Sequence, residues 1–157
     1  MSEPRDALSL PEVGAMKRAG TKIVMVTAYD HPSARLASEA GIDLILVGDS
    51  AGNNVLGYDS TVPVSMDEAA MLTAAVARAK PRSLIIGDMP FGSFQASDAD
   101  AVDNAVRLVK AGADAVKLEG AGPMVSRVTA IVDAGIPVMG HLGLTPQTAT
   151  KLGGMKA

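Results

Sequence analysis

Three carboxylates recur at one kind of position in this chain. Asp49 lies in Val47-Gly48-Asp49-Ser50, Asp88 in Gly87-Asp88-Met89-Pro90 and Glu119 in Lys117-Leu118-Glu119-Gly120. Each closes a short aliphatic run. If those runs are neighbouring parallel strands, the three side chains reach one rim, where functional residues of parallel α/β folds collect. Their mutual repulsion then calls for a cation. Oxygen-only donors suit a hard ion, Mg2+ first, which keeps positions open for water and substrate. Such an ion would polarise a 2-oxo acid through its carbonyl and carboxylate oxygens, and the proton beside the carbonyl becomes easier to remove.

Each residue also has a plain structural reading. Asp49 would cap a turn with Ser50, Asp88 would fix a loop before Met-Pro, and Glu119 would be a charge at a strand end. It is their equivalence that indicates a shared site. Lys117 lies two residues before Glu119, so both point to one strand face. A charged pair on a buried strand needs partners, either as a salt bridge or, the favoured reading, with Lys117 holding a substrate carboxylate. His141, in Gly140-His141-Leu142-Gly143, is either a satisfied histidine near the core or an acid or base facing the pocket. His31, beside Pro32 at a helix start, reads as surface or capping. Thr27-Ala28-Tyr29-Asp30 reaches the same rim after the first strand. The connection 51–64 is long and rich in Gly, Asn and Asp, as substrate-shaping segments often are.

The elements that must position these residues announce themselves by a repeated phrase. Ala19-Gly20, Ala40-Gly41, Ala111-Gly112 and Ala134-Gly135 each precede a short apolar run. Glycine just past a helix supplies a left-handed cap, and an uninterrupted apolar run suits a strand buried on both faces. Strands are expected at about 22–27, 44–47, 83–87, 115–118 and 137–140. Helix starts lie between them. Ser65 with Glu68 forms a capping box, Ser97 with Asp100 is similar, and Pro32 and Pro123 sit in first turns, for helices to about Ala40 and Ala134. A short helix is expected before the first strand. Strand–helix alternation implies a parallel sheet with right-handed crossovers. The choice lies between a doubly wound open sheet and a (β/α)8 barrel. The repeated junctions, and the lack of a glycine-rich phosphate loop after the first strand, favour the barrel.

Composition excludes several classes. A net charge of −3 lacks the basic footprint of a nucleic-acid binder. No apolar run approaches the ~20 residues of a membrane span. Without cysteine there is no disulfide, thiolate ligand or cysteine nucleophile, which favours the cytoplasm. A complete barrel takes about 250 residues. The 157 residues are therefore expected to form one barrel domain, C-terminally incomplete, with 1–20 as an N-terminal extension.

The strings VTAYDHPSARLASEAGIDLILVGDSAGNNVLGYDST, GDMPFGSF, AGADAVKLEG and GHLGLTPQ resemble the ketopantoate hydroxymethyltransferases. The resemblance runs from about Lys22 to Lys156, with the motifs in order. It implies a TIM barrel of the phosphoenolpyruvate/pyruvate type. It implies transfer of a one-carbon unit from 5,10-methylenetetrahydrofolate to 3-methyl-2-oxobutanoate, through an enolate of the Mg2+-chelated oxo acid, in pantothenate biosynthesis. By motif match, Asp49, Asp88 and Glu119 fall on the family's metal positions, Asp49, Ser50, Asp88 and Lys117 on its oxo-acid positions, and His141 near its active site. A large homo-oligomer, typically a decamer, is implied as well. The family's general base is a glutamate after the sixth strand, which this sequence does not reach. No residue here takes that role, and the chain alone is expected to be inactive. Two other readings stand beside this one. One is a related Mg2+-dependent C–C lyase or mutase. The other is a fragment that only binds oxo acid or assembles with other subunits.

Overall fold

The computed structural model describes residues 7–152, so the expectations for residues 1–6 and for the C-terminal GGMKA lie outside it. Helix α1 (Leu10–Arg18) comes first. Five β/α pairs or partial pairs follow: β1 (Met25–Thr27), α2 (His31–Glu39), β2 (Leu44–Val47), α3 (Met66–Ala77), β3 (Leu84–Asp88), α4 (Asp98–Ala111), β4 (Ala115–Glu119), α5 (Met124–Asp133) and β5 (Val138–His141). A 3-10 turn, Pro146–Leu152, closes the described chain.

The helices start and stop where local chemistry dictates. Ser65 accepts from Glu68 N while the Glu68 carboxylate returns to Ser65 N at 2.7 Å, a reciprocal capping box. Ser97 caps α4 by accepting from Asp100 N. Helix α2 begins one residue earlier than expected, because Asp30 is its cap, accepting from Ser33 N at 2.8 Å. His31 is thereby in the first turn and exposed. At the other end of α4, Gly112 takes φ +111°, and a Cβ there would lie 2.4 Å from that of Ala77. The other three junction glycines share this left-handed conformation.

The strands pair in the order β1-β2-β3-β4-β5, all parallel. A doubly wound sheet must reverse its order somewhere to place helices on both faces; this one never does. The registers sort the residues. Val26, Ile45, Val47, Ile85, Val116, Leu118 and Val138 share one face and pack into the two apolar clusters with helix residues such as Leu72, Val76, Leu108 and Ile131. Sequential helices touch side by side, α2 on α3, α3 on α4, α4 on α5. The opposite face carries Leu44, Leu84, Ile86, Ala115 and Met139, and near its N-terminal end Leu10 and Val13 of α1 lie against it. These are five consecutive β/α units of a TIM barrel, helices outside and strands within.

The first strand is shorter than the expected 22–27. Val24 N is taken by the Asp43 carboxylate at 2.9 Å, so the ladder proper starts at Met25. The central strands β3 and β4 are buried throughout, whereas the edge strands β1 and β5 are partly exposed.

Candidate active site

Register brings the predicted residues together. Asp88 pairs with Lys117 across β3 and β4, and Glu119 with His141 across β4 and β5. All four side chains therefore belong to the inner face at the C-terminal end of the strands. Asp49 arrives two residues beyond β2 and Ser50 beside it. Asp49, Asp88, Lys117 and Glu119 are 7, 2, 7 and 5% exposed, burial that charged residues accept only when paired.

The pairing is specific. Lys117 Nζ lies 2.7 Å from Asp88 Oδ1 and 3.7 Å from Glu119 Oε1. Asp49 N donates to Asp88 Oδ2 at 3.0 Å. Lys117 is thus the one ammonium among three carboxylates within this group. The Asp88 carboxyl is pushed up to about 7 chiefly by burial, which outweighs the pull of Lys117; the charge of Asp49 adds to the rise.

His141 Nδ1 stands 3.1 Å from Glu119 Oε1. Its geometry is not that of a hydrogen bond, and Nδ1 has no hydrogen-bond partner. The histidine is half-buried at the rim. Tyr29 from the first strand's end also belongs here. Its hydroxyl meets Ser50 Oγ at 3.0 Å and accepts from Asn54 Nδ2 at 3.0 Å. Asn54 sits in a π-helical turn, Gly52–Leu56, within the connection singled out by its length. That turn is the structured part of the connection, and it fastens Ser50 from outside.

Sequence reasoning missed Gln147. It is 4% exposed and lies in the Pro146–Leu152 turn. Its Nε2 donates to Asp49 Oδ2 and to the Met89 carbonyl, each at 2.9 Å, and its backbone N–H donates to Glu119 Oε2 at 3.1 Å. The sequence signals were its place at the end of the GHLGLTPQ string and a polar residue in a turn after a strand, at the rim where the acids gather. A cavity of about 280 Å³ beside it is bordered by Gln95, Glu119, Gly120, Met124, Gln147 and Thr148.

The donor set tests whether a hard cation fits. Oxygen donors predominate, with three carboxylates buried beside one ammonium. Asp49 and Asp88 are directly joined through the Asp49 N–H. Glu119 is turned toward Lys117, His141 and Gln147 N. Among the described residues no three Asp, Glu or His side chains close on one point. The arrangement therefore fits an ion held by two carboxylates and completed by exogenous oxygens, the habit of Mg2+, with Glu119 contributing its charge.

Comparison with known proteins places the chain. The sequence model described as ketopantoate hydroxymethyltransferase matches residues 7–157. The 3-methyl-2-oxobutanoate hydroxymethyltransferase of Moorella thermoacetica is 61% identical over 153 residues, covering 97% of this chain and 57% of that protein. That of Ignicoccus hospitalis is 62% identical over 137 residues, covering 87% and 52%. This chain thus spans about half the length of the relatives it matches. Among solved structures, a phosphonopyruvate hydrolase complex with oxalate and Mg2+ superposes with a TM-score of 0.69 at 16% identity, over 83% of this chain and 50% of that one. A phosphoenolpyruvate phosphomutase from Streptomyces platensis gives 0.68 at 19%, over 87% and 53%. These two likenesses speak for the fold.

Proposed function

The chain belongs to the ketopantoate hydroxymethyltransferase family, and from that premise we propose that the protein transfers a hydroxymethyl group from 5,10-methylenetetrahydrofolate to 3-methyl-2-oxobutanoate. The products are 2-dehydropantoate and tetrahydrofolate. The observation that carries this reading is the buried Asp49–Asp88–Lys117–Glu119 group, three carboxylates and one ammonium gathered at the C-terminal ends of the strands.

Asp49 and Asp88 would hold Mg2+. The phosphonopyruvate hydrolase of like fold carries that ion with oxalate, a planar dicarboxylate. Bound there, Mg2+ supplies Lewis acidity to an adjacent carbonyl. The remaining work falls to this chain. Lys117 receives the substrate carboxylate or the enolate oxygen, giving up part of its hold on Asp88 as it does so. Ser50, held by Tyr29, donates one further hydrogen bond to the same carboxylate.

The chemistry then balances as follows. The C3 proton of the oxo acid leaves for a base. Net, the enolate carbon bonds to the methylene carbon as that carbon's two bonds to the folate nitrogens break; water supplies the hydroxyl, and its other proton and the one taken from C3 go to the two nitrogens. Glu119 is engaged with Lys117 and the Gln147 N–H, and nothing sets His141 against the reacting carbon, so neither is assigned the base. A cytoplasmic homo-oligomer is the setting we propose. No helix among the described residues is long and apolar enough to cross a membrane.

The test is calorimetric. Binding of 3-methyl-2-oxobutanoate is expected to require Mg2+ and to vanish in Asp88→Ala, with the circular dichroism spectrum unchanged. Equal affinity in the two proteins would refute the site.

A further inference from the structure

Gln147 has no part in the chemistry just described, yet its carboxamide is fixed more firmly than any other uncharged group in the site. Two independent chains of donors and acceptors determine its orientation. Backbone N–H groups of Gly92 and Phe94 donate to Gln95 Oε1 at 2.8 and 3.3 Å. An N–H only donates, so the Gln95 oxygen must face them and its Nε2 must face away. That Nε2 points at Gln147 Oε1, 3.5 Å distant. The Gln147 Nε2 is thereby turned to Asp49 Oδ2 and the Met89 carbonyl, each at 2.9 Å. Reasoning from the opposite end gives the same answer, because an ionised carboxylate and a carbonyl only accept.

We propose that Gln147 is the positioning residue for Asp49. Its amide holds Oδ2 of that carboxylate and so sets the plane in which Oδ1 is presented to a ligand. A carboxylate on a loop end, two residues beyond its strand, otherwise rotates freely about χ2. The Met89 bond anchors the same amide to the end of β3, next to Asp88. Gln95 completes the support from the connection after β3. The result is a tie between the acids that follow β2 and end β3, made by a residue from the turn after β5. Outer-shell bonds of this kind typically change metal affinity by ~10–100-fold.

This inference rests on Asp49 being a ligand residue, and the experiment separates the two. Mg2+ is titrated calorimetrically into the wild type, Gln147→Met and Asp49→Asn, with Tm recorded for each. Methionine matches the length of glutamine without its amide, and the backbone N–H to Glu119 is retained. Gln147→Met is expected to weaken Mg2+ binding about ten-fold, equivalent to about 1.4 kcal/mol, while staying folded. A lowered Tm with unchanged Mg2+ affinity would reduce Gln147 to a structural role and overturn the inference. Wild-type affinity in Asp49→Asn would overturn the site itself.

A measurement on the wild type guards against a variant that fails to fold. In 15N-labelled protein the Gln147 side-chain NH2 protons are expected to exchange slowly and to shift on addition of MgCl2. Rapid exchange with no shift would also overturn the inference.

Discussion

Raising the pH should weaken the metal-free protein through one residue. Asp88 is 2% exposed, and its carboxyl is pushed from 3.8 to about 7. A raised acid pKa means that the folded state binds the proton more tightly than the unfolded chain. The stability it contributes is complete below pH 3.8. It declines at up to ~1.4 kcal/mol per pH unit and is gone above about pH 7. Three units give a total of about 4 kcal/mol, an order-of-magnitude figure. Asp30, Glu68 and Asp98 are shifted the other way, but all are at the surface and should matter little. The assay is urea unfolding at several pH values in EDTA, for the wild type and Asp88→Asn. The stability difference between the two proteins should swing by about 4 kcal/mol from pH 4 to 7.5, to the disadvantage of the wild type at high pH. Adding Mg2+ at pH 7.5 should recover stability in the wild type alone. A difference that stays flat with pH would refute the account of a carboxyl whose burial favours its protonated form.

Two further outcomes follow from the packing. Lys117→Met leaves Asp88 and Glu119 buried without their ammonium, at 2.7 and 3.7 Å respectively. A loss of about 3–5 kcal/mol at pH 8, shrinking as the pH falls and Asp88 takes up its proton, is the expected result in the same urea assay. Gly112→Ala meets Ala77 at 2.4 Å in a conformation with φ +111°. Thermal unfolding should show a loss of more than ~2 kcal/mol, whereas Gly92→Ala, with nothing within 4 Å, should lose only the cost of its left-handed backbone.

What the sequence disclosed was chiefly what is encoded locally. The Ala-Gly junctions, the Ser65–Glu68 box and the continuous apolar runs each depend on residues within a few positions, and each appears in place. The rim acids were legible because strand ends are found by the same short patterns. The choice between barrel and open sheet was harder. It depends on which side of the sheet each helix takes, and the monotonic strand order settles it. Gln147 escaped because its partners are 98 and 58 positions away and a polar residue in a turn has no periodicity to betray it. Tyr29 was placed at the rim by its strand end, but its contact with Ser50, which crosses 21 positions, was not legible. The start of β1 was misjudged because Asp43, from the next unit, claims the Val24 N–H.

The most direct test is turnover. Purified protein given 3-methyl-2-oxobutanoate, 5,10-methylenetetrahydrofolate and Mg2+ is followed by mass spectrometry of the acid product. The account predicts 2-dehydropantoate when the protein is expressed at the length of its relatives, with formation lost on omitting the folate and in Asp88→Ala. A product formed without the folate, or cleavage of the oxo acid instead of its extension, would contradict it.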